Sequence, residues 1–183
     1  MSKIAFLVVS LMAGAGLCFP GLVNAKTSRE PLTQPSFNFS LQARRQNISA
    51  LLAEAEILVT QGEVKRAIAI FAEAELLSPN QQIPALDWNS LCWYGSLWGQ
   101  ASDVLSACDK AVELEPEAEE FRDSRGLARA LTGNIAGAIE DFQAFVNSTE
   151  DQDRKIERQG WINMLRQGKN PFTPQQIRLL FRD

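Results

Sequence analysis

Along the chain the apolar positions fall into blocks divided by glycine and proline. An uncharged run from Ile4 to Val23 comes first. The next stretch, Lys26 to Gln46, holds two prolines and no sustained period, so it reads as a tether or strap over 26–46. From Ile48 onward apolar residues return with helical spacing. They predict helices near 48–60, 63–77, 84–98, 100–114, 117–131 and 135–147. Beyond Glu150, Ile156, Trp161, Ile162 and Leu165 fall on one helical stripe. In "NPFTPQQIRLLF", Thr173 can cap, Pro174 suits a first helical position and Gln176 completes a capping-box-like spacing. A short last helix is expected there, folding back through Phe172, Leu179 and Leu180. The fold class is all-α.

The blocks repeat. Gly62, Gly99 and Gly133 each follow an apolar helical stretch, at spacings of 37 and 34 residues. Five residues later stand Ala67, Val104 and Ala138, and four beyond those Phe71, Cys108 and Phe142. Ala74, Ala111 and Phe145 follow after three more. Seven residues before each glycine lie Ala55, Cys92 and Gly126, all small. Pro79 and Pro116 close the first two units, and Glu150 stands at that place in the third. Small residues in the middle of one helix and near the start of the next let the two approach closely. The larger residue four positions on fills the space between them. Glycine near the turn can take the left-handed conformation that ends a helix, and proline stops the second helix.

This pattern resembles the tetratricopeptide repeat, a 34-residue unit written W…L-G…Y…G…A…F…A…P. The second unit supplies Trp88, Leu91, Cys92, Gly95, Gly99, Val104, Cys108, Ala111 and Pro116 at those places. The first supplies Leu51, Ala55, Leu58, Gly62, Ala67, Phe71, Ala74 and Pro79. The third has Gly126, Gly133, Ala138 and Phe142 but puts Arg122 and Arg129 where aromatics are usual. The wording "SRGLARALTGN" is similar to exported bacterial, cyanobacterial-type members of the family. The resemblance implies an α-solenoid of three helical hairpins, at about 48–82, 84–118 and 119–150, with capping helices over 151–183.

The leader and the composition bound the function. Lys3, the apolar run, Pro20 and the small residues Val23 and Ala25 read as a signal peptide over 1–25, cut after Ala25. The expected location is therefore extracytoplasmic: periplasm, thylakoid lumen or secreted. Kept uncleaved, the same run would be a membrane anchor. Without Lys3 there are 17 basic against 22 acidic side chains, a net of −5, which disfavours nucleic acid as a partner. Histidine is absent, removing the commonest general base and metal ligand. Only Cys92 and Cys108 follow the leader, too few for a four-thiolate zinc site. No phosphate loop or nucleophile elbow is present. No catalytic residue, metal or cofactor is expected.

In the family the first helices of successive units line a concave groove that takes a peptide. Carried over by position, the resemblance places Leu52 and Glu56, Asn89 and Trp93, and Asp123 and Leu127 in that groove. Glu56 and Asp123 would repel a terminal carboxylate, so a partner with an aromatic or aliphatic anchor and basic residues fits better. Trp93 is the sharpest anchor candidate, and packing between units is its other reading. Trp98, beside the turn, reads as structural. Arg122, Arg125 and Arg129 share one helix face, either as an anion-recognising row or as internal partners of acids such as Glu119, Glu140 and Asp141. Cys92 and Cys108 can face each other across one hairpin, either bonded or as two buried thiols. Two functions follow: an exported interaction module that binds a peptide or protein segment, or a structural subunit held in an obligate complex.

Overall fold

A computed structural model of the chain describes residues 35–77 and 82–182, with side chains from residue 46 onward. The described residues form eight helices and no strand. They are α1 (Pro35–Thr60), α2 (Val64–Leu77), α3 (Ala85–Leu97), α4 (Ala101–Leu114), α5 (Glu119–Leu131), α6 (Ile135–Ser148), α7 (Gln152–Arg166) and α8 (Pro174–Leu180). The protein is all-α in these residues. The expected leader over 1–25, the tether as far as residue 34, and Pro79 lie outside them. Among the described residues no helix is long and apolar enough to cross a membrane.

The expected tether over 26–46 needs correction. α1 begins at Pro35 and runs unbroken for 26 residues, so 35–46 is helical. Proline fixes φ near its helical value and is tolerated in the first turn, and no glycine or further proline interrupts the helix behind it. The period failed there because polar residues dominate the segment.

Helices α1 and α2, α3 and α4, and α5 and α6 pack as successive pairs, α3 also lies against α1 and α5, and α7 packs on α6. The turns share one construction. Gly62, Gly99 and Gly133 have φ of 88°, 78° and 87°. The N–H of each following residue donates to a carbonyl five positions back: Glu63 to Leu58 at 2.9 Å, Gln100 to Gly95 at 2.9 Å and Asn134 to Arg129 at 2.8 Å. This arrangement satisfies carbonyls that a helix end leaves open. A fourth turn at Gly168 (φ 70°) repeats it, Lys169 donating to Met164 at 2.9 Å. There Pro171 and Pro174 divert the chain, and α8 reaches α3 instead of pairing with α7. Thr173 Oγ1 caps α8, accepting from the Gln176 N–H at 3.2 Å.

The recurring small and aromatic positions all face inward. Ala55, Cys92, Ala67, Val104, Ala138, Phe71, Cys108, Phe142, Ala74, Ala111 and Phe145 are buried. Gly126 shows why its position stays small: a Cβ there would meet the Phe142 ring at 2.8 Å. At Gly95 it would meet the Val104 side chain at 2.5 Å. Each fully buried large apolar side chain contributes about 1.5–3 kcal/mol, so close approach and ring filling act together. On α7, Trp161, Ile162 and Leu165 are buried as expected. Ile156 is not: it is 71% exposed, and Arg158 takes a place on the inner face. Phe172 and Leu180 fold back into the core, while Leu179 stays about half exposed.

Candidate functional site

A cleft of about 480 Å³ opens where α3, α5 and the start of α7 converge. α3 lines it with Asn89, Ser90, Trp93 and Tyr94, α5 with Glu120 and Ser124, and α7 with Asp151 and Arg154. Its width has a cause. α3 and α5 approach each other closely, whereas α7 packs its backbone on α6 and reaches α5 through long arginine side chains. The space left over is the cleft.

Arg154 lines it, and Arg158 is buried one turn further along α7. Arg158 is fully buried, with Nε 3.1 Å from Asp123 Oδ1 and Nη2 2.8 Å from Asp123 Oδ2. Its guanidinium lies 4.3 Å from the Trp161 ring centre and also pairs with Glu157. Arg154 donates to both carboxylate oxygens of Glu120, at 2.6 and 2.7 Å, and to Asp123 at 3.0 Å. Burial pushes the Asp123 carboxyl up, opposed by the two guanidinium groups. Burial also acts to lower Arg154 and Arg158, but their carboxylate partners outweigh it and hold both above the usual arginine range. On the two cleft-lining residues Asn89 and Arg154, Oδ1 and Nε are enclosed without a hydrogen-bond partner among the described residues. Asp151 caps α7, Oδ1 accepting from the N–H groups of Asp153 and Arg154 at 3.0 and 3.1 Å.

Comparison with the family models of known proteins and with curated protein sequences finds no match.

The six groove candidates separate. Asn89 and Trp93 line the cleft, both half-buried. Glu56 is exposed on α1. Leu52, Asp123 and Leu127 are corrections: Leu52 is 7% exposed within the α1–α4 core, Asp123 1% and Leu127 0%. Their positions explain it. Leu52, Asn89 and Asp123 each stand three residues before the small residue of their helix, and Glu56, Trp93 and Leu127 one after it. At the second of these places cover grows along the chain, from exposed Glu56 through half-buried Trp93 to Leu127, which sits in a core shared with α6 and α7. At the first, Asp123 is covered because Arg154 and Arg158 descend on it. It therefore presents no bare charge to a ligand.

The arginine row of α5 turns away from the cleft. Arg125 grips Asp141 on α6 through Nε at 2.9 Å and Nη2 at 2.8 Å. Arg129 meets the same carboxylate at 2.8 Å and Arg122 lies 3.8 Å from it. Asp109 on α4 adds contacts to Arg125 at 3.3 Å and Arg129 at 3.8 Å. Hydrogen bonding to Asp141 raises Arg125 above its ordinary value. With fully buried Asp141 at their centre, the three serve internal cohesion, and Asp109 was absent from the expected partners. Cys92 and Cys108 are joined by a disulfide, their Cα atoms 4.9 Å apart, between α3 and α4. Trp98, 45% exposed, packs against Phe181 at 4.9 Å.

Ser90, Tyr94, Glu120, Ser124, Asp151 and Arg154 were not anticipated at the cleft. One signal for part of this was present: Arg154 and Arg158 are four apart on α7, as suits two arginines reaching the same acidic neighbour.

Proposed function

We propose that the chain is a non-enzymatic interaction module, a three-hairpin α-solenoid of the tetratricopeptide type with a capping α7–α8 end. It works as an exported scaffold or assembly factor, cleaved near Ala25, and holds a segment of a partner protein in the cleft between α3, α5 and α7. The observation that carries the reading is Trp93 beside Tyr94 in a recess whose wall keeps an unpartnered amide oxygen at Asn89. Half-buried aromatics offer a large contact area at little entropic cost on binding, which is what an interface anchor needs. Two further observations support it. The repeated small positions are buried in phase, and both cysteines after the leader are tied up in a disulfide, leaving neither free as a nucleophile.

A photo-crosslinking amino acid placed at Ser90 in the native cell envelope tests this directly. One defined partner adduct is expected from that position, lost when Trp93→Ala is added, with the helical circular dichroism unchanged. The same adduct formed equally from Gln143, away from the cleft, would remove the cleft from the mechanism.

A further inference from the structure

Acidic groups recur on the helices that frame this cleft and on α1, which packs against α3. Glu56 is exposed on α1, and Asp87 on α3 lies close enough to be influenced by it: burial first, then that like charge, raises the Asp87 carboxyl. Glu120 on α5 has half its side chain exposed, and Asp151 is exposed at the head of α7. Among the described residues Arg154 is the one cation that lines the cleft. It is already engaged by Glu120 and Asp123, and Arg158 behind it by Asp123 and Glu157. Of the residues that line the cleft, Glu120 and Asp151 against Arg154 leave a surplus of one negative charge, before Glu56 and Asp87 are added. An anion entering would face the carboxylates of Glu120 and Asp151 while competing for an arginine already held by two acids.

The geometry points to a specific occupant: a partner segment that inserts a lysine or arginine side chain against Trp93 and Tyr94, its charge facing Glu120 and Asp151. The inference rests on the proposed groove and adds what the groove selects. Trp93 and Tyr94 bring two half-buried aromatic rings to the lining, and a ring attracts a cation by about 0.5–2 kcal/mol as water is excluded. The hydroxyls of Ser90 and Ser124 are acceptors at the lining that an ammonium or guanidinium can satisfy with its several N–H donors. An aliphatic stem lies along the rings while the charged head reaches the carboxylates. A second basic residue in the same segment would find Glu56 and Asp87 toward α1.

The test selects short random displayed peptides on the full chain and measures the best binder by calorimetry. A lysine or arginine is expected at one fixed position in the selected set. Replacing it by norleucine, which keeps the stem and removes the charge, should weaken binding about tenfold or more. Asp151→Asn keeps a capping oxygen for α7 and removes one charge, so a loss of about twofold to fivefold is expected with the fold intact. Affinity should also fall as salt rises. Binders that need Trp93 yet show no basic preference, or that favour acidic or phosphorylated residues, would overturn the inference and leave the groove standing. Binders indifferent to Trp93→Ala, or none at all, would remove the groove and this inference with it.

Discussion

Between α1 and α2 the buried residues are all apolar, Ala55, Ala67 and Ala74 alternating with Ile48, Leu52, Leu58, Val59, Val64 and Phe71. The charged residues of α2, Lys65, Arg66, Glu73 and Glu75, are all exposed. Helix α5 is built the other way. Six of its 13 residues are charged, and it is gripped from both flanks, by Asp141 and Asp109 on one side and by Arg154 and Arg158 on the other. One region closes by letting backbones approach. In the other, α5 and α6 also lie close, while α7 stands off and is bridged to α5 by guanidinium forks that match a carboxylate's shape. A buried ion pair adds little to stability overall, because desolvation consumes much of the attraction, but it penalises any arrangement that leaves one charge alone. It therefore fixes where α7 sits, and so fixes the cleft.

That contrast can be broken at its charged end first. Arg158→Ala leaves Asp123 buried with one of its two partners gone, and a loss of about 3–5 kcal/mol is expected in urea unfolding. Arg158→Met combined with Asp123→Leu should recover much of it, because no charge is then stranded. A double change as costly as the single one would contradict the account. Next comes the covalent link in the hairpin that lies between the two regions, from α3 to α4. Replacing Cys92 and Cys108 together by alanine removes a bond spanning 16 residues and should cost about 3 kcal/mol. Thermal unfolding with and without reductant checks this, since only the parent should respond to reductant. The smallest effects lie on the steric side. Gly95→Ala drives a methyl group into Val104 and should cost about 1–3 kcal/mol. Gly160→Ala, at an exposed position of α7 with nothing within 4 Å, should gain about 0.5–1 kcal/mol. Equal signs for the two would mean that close approach does not govern the small positions.

The same division separates what could be read from the residues beforehand and what could not. The six central helices lie within two residues of expectation at every boundary except the start of α1. Glycine at the turns and alternating small and large residues carry local steric information, which a linear pattern expresses directly. The depth of Leu52, Asp123 and Leu127 was not legible, since exposure at one repeated place depends on which helix comes to cover it. Nor was the cleft. Glu120 and Asp123 find Arg154 and Arg158 across more than 30 residues of chain, and no local period encodes that meeting. The fate of Ile156 and Arg158 follows from the same cause: hydrophobicity alone would put the isoleucine inside, and the waiting carboxylate of Asp123 puts the arginine there instead.

Arrays of stacked helical pairs can in general unravel one pair at a time from either end. The charge on both faces of α5 opposes this at the carboxyl-terminal side. Separating α7 would give up the pairs at Asp123 and Glu120, and separating α6 those at Asp141, so α5, α6 and α7 are tied into one block. Occupying the recess at α7 is then felt by the whole block.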